Sequence, residues 1–212
     1  MTADLKNNRL LAEEIFLAGI NTVHPSQLIR KFIKQTEGGL VINDILHNIP
    51  GRIYVTGAGK ASGAMAEAIE EVLGDHISEG HVIVKYGHSR PLKRIRITEA
   101  GHPEPDHNGF AGTMALVEIA KKAAENDLLI CLISGGGSSL LADSPEGASE
   151  EDMILMNHLL VKCGASISEI NTVRKHLSNI KGGKLAGIAF PATLVNLILS
   201  DVPGDDPGVI AS

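Results

Sequence analysis

The sequence has no Trp, two Tyr and four Phe, an aromatic fraction of 3%. A core for these 212 residues must therefore be aliphatic, built from Ile, Leu, Val and Ala, which suits a parallel sheet covered by helices on both faces. Cysteine is almost as scarce. Cys131 lies in an apolar run and Cys163 late in a helical pattern, with no Cys-x-x-Cys spacing, so neither a disulfide framework nor zinc or thiol-redox chemistry is indicated. Both read as buried thiols in a reducing compartment. Long basic runs are missing too: 19 Lys and Arg face 25 Asp and Glu, for a net charge of −6. With no basic stripe and no interleaved aromatics, nucleic-acid binding is set aside. A small anionic ligand still fits, because one pocket can be positive on an acidic protein. No stretch approaches the ~20 apolar residues of a membrane span. Residues 1–9 are polar and carry no signal core, so a cytoplasmic protein without a membrane partner is expected.

What the chain does contain is alternation. Residues 8–22 and 25–35 place apolar side chains at helical spacing, the second segment opening on Pro25 and broken by Gly38-Gly39. From residue 52 short β-branched runs alternate with helical patterns. Strands are expected at 52–56, 81–85, 94–98, 127–133 and 193–199, and helices to about 73 and over about 108–124, 149–163, 168–178 and 183–189. This rhythm predicts an α/β protein: a three-layer α/β/α, Rossmann-like domain with a mostly parallel sheet over about 50–212, preceded by two helices over about 8–35. The chain stops at Val209-Ile-Ala-Ser212, just after a strand-and-loop unit, which reads as a fragment.

In open parallel sheets ligands bind beyond the carboxyl ends of the strands, and three loops expected there have unusual composition. The first is Gly57-Ala-Gly-Lys60, followed by a helix. Glycines admit close backbone approach, the helix start offers free N–H groups, and Lys60 adds a full charge. Walker A spacing fails at Tyr54 and Ala61. The dinucleotide fingerprint fails because Ser62 stands where its third Gly belongs. The second loop, Ser134-Gly135-Gly136-Gly137-Ser138-Ser139, pairs consecutive N–H groups with hydroxyls in the manner of a phosphate nest; a nucleophile elbow is excluded by Leu140. The third, Asp201-Val-Pro-Gly-Asp205-Asp206, could hold Mg²⁺ or accept a proton from an attacking hydroxyl, or be an Asp-rich turn. Between them Arg174, Lys175, Lys181 and Lys184 form a basic cluster on an otherwise acidic chain. Arg174 and Lys175 cannot share one helix face. His102, in Gly-His-Pro-Glu-Pro-Asp106, reads as a loop hydrogen-bonder, with Asp106 as a helix N-cap.

Taken in order, Gly57-Ala-Gly-Lys-Ala, Ala100-Gly-His-Pro-Glu-Pro-Asp, Ser134-Gly-Gly-Gly-Ser-Ser-Leu, Asn171-Thr-Val-Arg-Lys-His-Leu-Ser with Ile180-Lys-Gly-Gly, and Leu199-Ser-Asp-Val-Pro-Gly-Asp-Asp resemble the class II glycerate kinases, the glycerate 2-kinase family. The resemblance covers about 150 residues. It implies transfer of the ATP γ-phosphate to the 2-hydroxyl of D-glycerate with Mg²⁺, at a site between two domains. Residues 1–212 correspond to the N-terminal one, and the C-terminal domain, with a catalytic Arg, is absent from this chain. On that reading the 212 residues alone are inactive. By resemblance Lys60 neutralises the transferring phosphoryl group. Ser134 to Ser139, with Gly57 and Gly59, contact ATP phosphates or the glycerate carboxylate. Asp201 orients or deprotonates the acceptor hydroxyl or shares Mg²⁺ with Asp205, and Arg174 or Lys184 answers the substrate carboxylate. Two other readings are carried: a hydroxypyruvate reductase-type oxidoreductase, and a non-catalytic phosphate-sugar binding module. The broken fingerprint, and Lys85 near the end of the second strand where an acidic residue would bind ribose, count against the first. Homo-oligomerisation is left open.

Overall fold

The computed structural model describes residues 3–210. Its centre is a pair of strands with no face left for water. β4 (Ile53–Ala58) and β7 (Leu128–Ser134) are buried at every residue. Successive strand side chains point to opposite faces. Ile53, Val55, Leu128, Ile130 and Leu132 accordingly enter one core, against Met65, Ile69 and Leu73 of α3 (Ser62–Leu73). Tyr54 and Leu129 pack on the other face with Ile119 and Ala120 of α4 (His107–Lys122) and Ala189 of α8 (Lys184–Ala189). Ala58, Cys131 and Ile133 extend this second layer beside Leu116. These are the three layers expected.

β5 (Ile77–Lys85), β6 (Ile95–Ala100) and β8 (Thr193–Leu199) complete a five-stranded sheet in the order β6-β5-β4-β7-β8. Every pairing in it is parallel. From β4 the chain winds outward through β5 and β6. It then returns to the other side of β4 for β7 and β8. The strand order therefore reverses between β4 and β7, and a crevice opens there at the carboxyl ends.

The N-terminal region departs from expectation. α1 (Ala3–Thr22) and α2 (Pro25–Phe32) form, but the second helical pattern ends at Phe32 rather than about residue 35. β1 (Ile33–Thr36), β2 (Gly39–Ile42) and β3 (Ile45–His47) follow as a separate antiparallel sheet. Two local signals explain it. Ile33, Leu40 and Ile42 are buried in the same core as α3, and Asn43 and Asp44 join β2 to β3 with φ of 49° and 63°. A two-residue link with both φ positive matches the right-handed twist of a hairpin, and Asn and Asp tolerate it best.

Beyond β7 come α5 (Gly137–Leu140), α6 (Glu150–Lys162) and α7 (Ile167–Leu177). Ser149 with Asp152, and Ser166 with Glu169, form reciprocal capping boxes that start α6 and α7. Met153 of α6 packs with Phe110 and Ala142, and Leu177 of α7 joins them. This apolar seam holds α6 and α7 beside the carboxyl edge of the sheet. Of the two thiols, Cys131 is buried, and burial pushes it up to about 11. Cys163 is exposed, contrary to expectation, because it caps the free end of α6. No helix among the described residues is long and apolar enough to cross a membrane.

Candidate active site

Two loops close over the crevice, and their glycines act differently. Gly57 lies inside β4, paired with Val82 and Leu132, and a Cβ there would stand 2.8 Å from Leu132 Cβ. Gly59 has φ +146°, and its Cβ would fall 2.6 Å from the Ser134 carbonyl oxygen. What these two positions admit is β7. The contact is completed by hydrogen bonds from Lys60 N to Gly135 O (2.9 Å) and from Ala61 N to Ser134 Oγ (3.0 Å). Buried Ser62 donates to Leu132 O at 3.1 Å, with its Oγ 3.3 Å from Ser134 Oγ. Ser134 is thus a strut between the loops.

Gly135 and Gly136 face the other way. A Cβ on Gly135 would stand 2.8 Å from Asp201 Cγ, and one on Gly136 would stand 2.6 Å from His102 Nε2 and 3.5 Å from Lys60 Cε. Side chains from the ends of β4, β6 and β8 therefore converge on two glycines at the end of β7. Gly136 takes φ 90° as the N-cap of α5, and Ser139 Oγ donates back to Gly136 O at 3.2 Å. His102 is held below the usual imidazole range, first by burial and then by the charges of Lys60 and Lys85, all of which favour its neutral form. Lys60 is exposed and enters no ion pair among the described residues.

The crevice widens into a cleft of about 330 Å³ lined by His102, the run Ser134 to Ser139, Asn171, Arg174 and Asp201. Arg174 is half-buried, and its Nε donates to Asn157 Oδ1 at 2.8 Å. Burial lowers its guanidinium from the ordinary range, and no carboxylate pairs with it among the described residues. The rest of the basic cluster is spent elsewhere. Lys175 Nζ donates to Gly208 O at 2.9 Å. Lys184 donates to the carbonyls of Lys175 and Ser178 at the C-terminus of α7, where a cation meets the negative helix end, and it does not line the cleft. Lys181 is buried against the Leu141 carbonyl and, at 3.3 Å, Asp143. Burial lowers its ammonium and Asp143 opposes that shift. Asp143 also accepts from Ser178 Oγ at 2.7 Å, which ties the turn after α7 to the segment after α5.

Asp201 is exposed at the end of β8, and Asp205 is exposed with φ 49°. No three of His, Cys, Asp and Glu cluster as a protein-only metal cage among the described residues. One or two carboxylates suffice for Mg²⁺, which keeps waters and takes phosphate oxygens as further ligands, so the residues present fit a metal carried in by a nucleotide. Asp106 is the N-cap of α4, accepting from Gly109 N at 3.1 Å, as expected. Asn171 is the residue sequence reasoning missed. It is 8% exposed, and its Oδ1 is buried without a hydrogen-bond partner among the described residues. Its advance signals were its place at the head of the Asn171–Ser178 motif and three residues before Arg174, on the same face of α7.

A doubly wound parallel sheet with glycine loops at its switch point puts the chain in the class of Rossmann-like α/β domains. More narrowly, residues 11–212 match the family model described as Domain of unknown function (DUF4147), and the chain belongs to that family. It is 43% identical over 193 residues to a protein named glycerate 2-kinase from Pyrococcus horikoshii, covering 91% of this chain and 43% of that relative. Over 162 residues it is 50% identical to an Agrobacterium vitis protein that carries a hydroxypyruvate reductase name, covering 76% of this chain and 42% of the relative. The crystal structure of a glycerate kinase from Thermotoga maritima superposes with a TM-score of 0.83 at 42% identity, over 97% of this chain and 47% of that one. The chain spans less than half the length of each. The resemblance seen in the loop motifs is therefore borne out over nearly the whole chain.

Proposed function

We propose that the whole protein transfers the γ-phosphoryl group of ATP to the 2-hydroxyl of D-glycerate, and that residues 1–212 supply the phosphate-holding wall of its site. The observation that carries this reading is the convergence of Lys60, Asp201 and His102 on Gly135 and Gly136. Phosphoryl transfer needs little covalent help from protein. It needs an acceptor held in line and charge stabilised as the bond to the leaving oxygen lengthens. The N–H groups of Gly135 to Ser139 hold phosphate oxygens, and Lys60 neutralises the charge that develops on them. Asp201 takes the proton of the acceptor hydroxyl as its oxygen bonds to phosphorus and the bridging oxygen departs with ADP. Alternatively, Asp201 would share Mg²⁺ bound with the nucleotide with Asp205, the metal supplying charge neutralisation; Asp205 does not line the cleft. Arg174, lacking any carboxylate of its own, receives the carboxylate of glycerate. Gly57 and Gly59 contribute by bringing β4 against β7. Lys184 supports α7 rather than ligand.

The reductase reading has the weaker support. An NAD site at this switch point would use an acidic residue at the end of the second strand, and β5 ends on Lys85. The deciding experiment incubates the whole protein with D-glycerate and Mg-ATP, and separately with hydroxypyruvate and NADH. Formation of 2-phosphoglycerate with ADP is expected. NADH oxidation without any phosphorylated product would overturn the proposal.

A further inference from the structure

Asn171 presents a puzzle that stability does not answer. It sits within α7, where Asn is a poorer helix former than Leu or Ala. It is 8% exposed, and its carbonyl oxygen has no hydrogen-bond partner among the described residues. A buried acceptor left in that state keeps its full desolvation cost, whereas an apolar side chain of the same shape has none. The same side chain lines the cleft that holds Ser134, Gly135 and Asp201, three residues from Arg174 on one face of α7. A group that is unfavourable in the free protein and placed in a ligand cleft has its partner in the ligand.

The kind of partner follows from the chemistry of the atom. A carbonyl oxygen accepts and never donates, so Oδ1 itself cannot bind a carboxylate or phosphate oxygen; of the groups on a hydroxy acid, only a hydroxyl can donate to it. Arg174, one turn away, offers only donors and suits the carboxylate. Gly135, Gly136 and Asp201, which the proposed mechanism assigns to phosphate and the reacting hydroxyl, line the same cleft from other elements. We infer that Asn171 is a specificity-determining residue, its Oδ1 accepting a hydrogen bond from the hydroxyl of the substrate that does not react. This inference rests on the kinase reading above and narrows it to acids that carry a second hydroxyl beside the phosphorylated one.

The test uses the whole protein, with D-glycerate as substrate and D-lactate as a competitive inhibitor. D-lactate keeps the carboxylate and 2-hydroxyl and lacks only the 3-hydroxyl. Asn171→Ala is expected to lower kcat/KM for D-glycerate about tenfold, the effect of one lost hydrogen bond, and to leave the inhibition constant of D-lactate within about twofold. Asn171→Leu is expected to show the same loss with Tm equal to or above that of the parent, because it removes an unsatisfied buried acceptor. A structural role would instead lower Tm in both variants. Equal losses for D-glycerate and D-lactate, or an unchanged kcat/KM, would overturn the assignment while leaving the kinase reading intact. Absence of phosphorylation by the parent protein would overturn the kinase reading and the assignment together.

Discussion

The loops after β4 and β7 look alike in sequence and differ in what their glycines do. In Gly57-Ala-Gly-Lys60 both glycines are buried, and each admits the neighbouring strand: Leu132 at Gly57, the Ser134 carbonyl at Gly59. In the 134–139 loop, Gly135 and Gly136 admit side chains that arrive from other strands, Asp201, His102 and Lys60. One loop uses its lack of Cβ atoms to assemble the sheet edge, the other to gather functional groups. Only Lys60 in the first loop reaches across to the second group. Glycine enrichment at a strand end is therefore two signals in one. What separates them is whether the atom that a Cβ would meet belongs to backbone or to a mobile side chain.

The largest effect is expected at the residue that crosses between the two roles. Lys60→Ala in the whole protein should lower kcat by about 10²–10³, the range for removing one group that stabilises developing charge. Its Tm should match that of the parent, since the ammonium is exposed and holds no ion pair among the described residues. A parallel fall in Tm and activity would place Lys60 with the assembling residues and break the distinction.

Next come the glycines themselves. Gly59→Ala pushes a methyl group into the Ser134 backbone at a φ of +146°, where neither partner can yield. A cost of about 1–3 kcal/mol is expected, which for a domain of this size lowers Tm by roughly 2–12 °C. Gly135→Ala meets only the carboxylate end of exposed Asp201, which can swing away. Tm should change by less than about 2 °C while turnover falls about tenfold, because the displaced group is the one that takes the acceptor proton. Thermal melts paired with turnover on the two variants decide the matter. The reverse pattern, stability lost at Gly135 and turnover at Gly59, would overturn the comparison.

How much of this was legible depended on where the information lies. The central strands could be read because their apolar runs exceed what one face needs, β4 and β7 being buried at every residue, and β6 by the alternation of Ile95 and Ile97 with polar neighbours. The sheet of residues 33–47 was not legible as such. Its strands are three and four residues long, and the helical pattern of 25–32 runs into Ile33 without a stop signal. The Asn43-Asp44 pair was the one clue. At the site, residue types could be read more readily than their partners. Arg174, Lys175, Lys181 and Lys184 look equivalent in sequence, and only tertiary contacts assign one to a cleft, one to a loop carbonyl, one to a buried carboxylate and one to a helix end. Asn171 was quoted in a motif but given no role for the same reason, since an unsatisfied carbonyl has no sequence signature.

The smallest effect belongs to a residue in neither loop. Asn157 Nδ2 donates to Met153 O at 2.9 Å, which fixes the amide so that Oδ1 faces Arg174 Nε at 2.8 Å. Asn157 thus aims the guanidinium without touching ligand, and is a positioning residue. Asn157→Ala removes one hydrogen bond, worth about 1 kcal/mol, and frees Arg174 to rotate. KM for D-glycerate should rise about fivefold with kcat nearly unchanged, because aim affects binding of the carboxylate equally before and during transfer. Asn157→Asp keeps an acceptor at the same place but gives Arg174 a carboxylate of its own, and should raise KM at least as far. A fall in kcat at constant KM would instead put Arg174 on the reacting phosphoryl group, on the side of Lys60 rather than on the substrate side of the cleft.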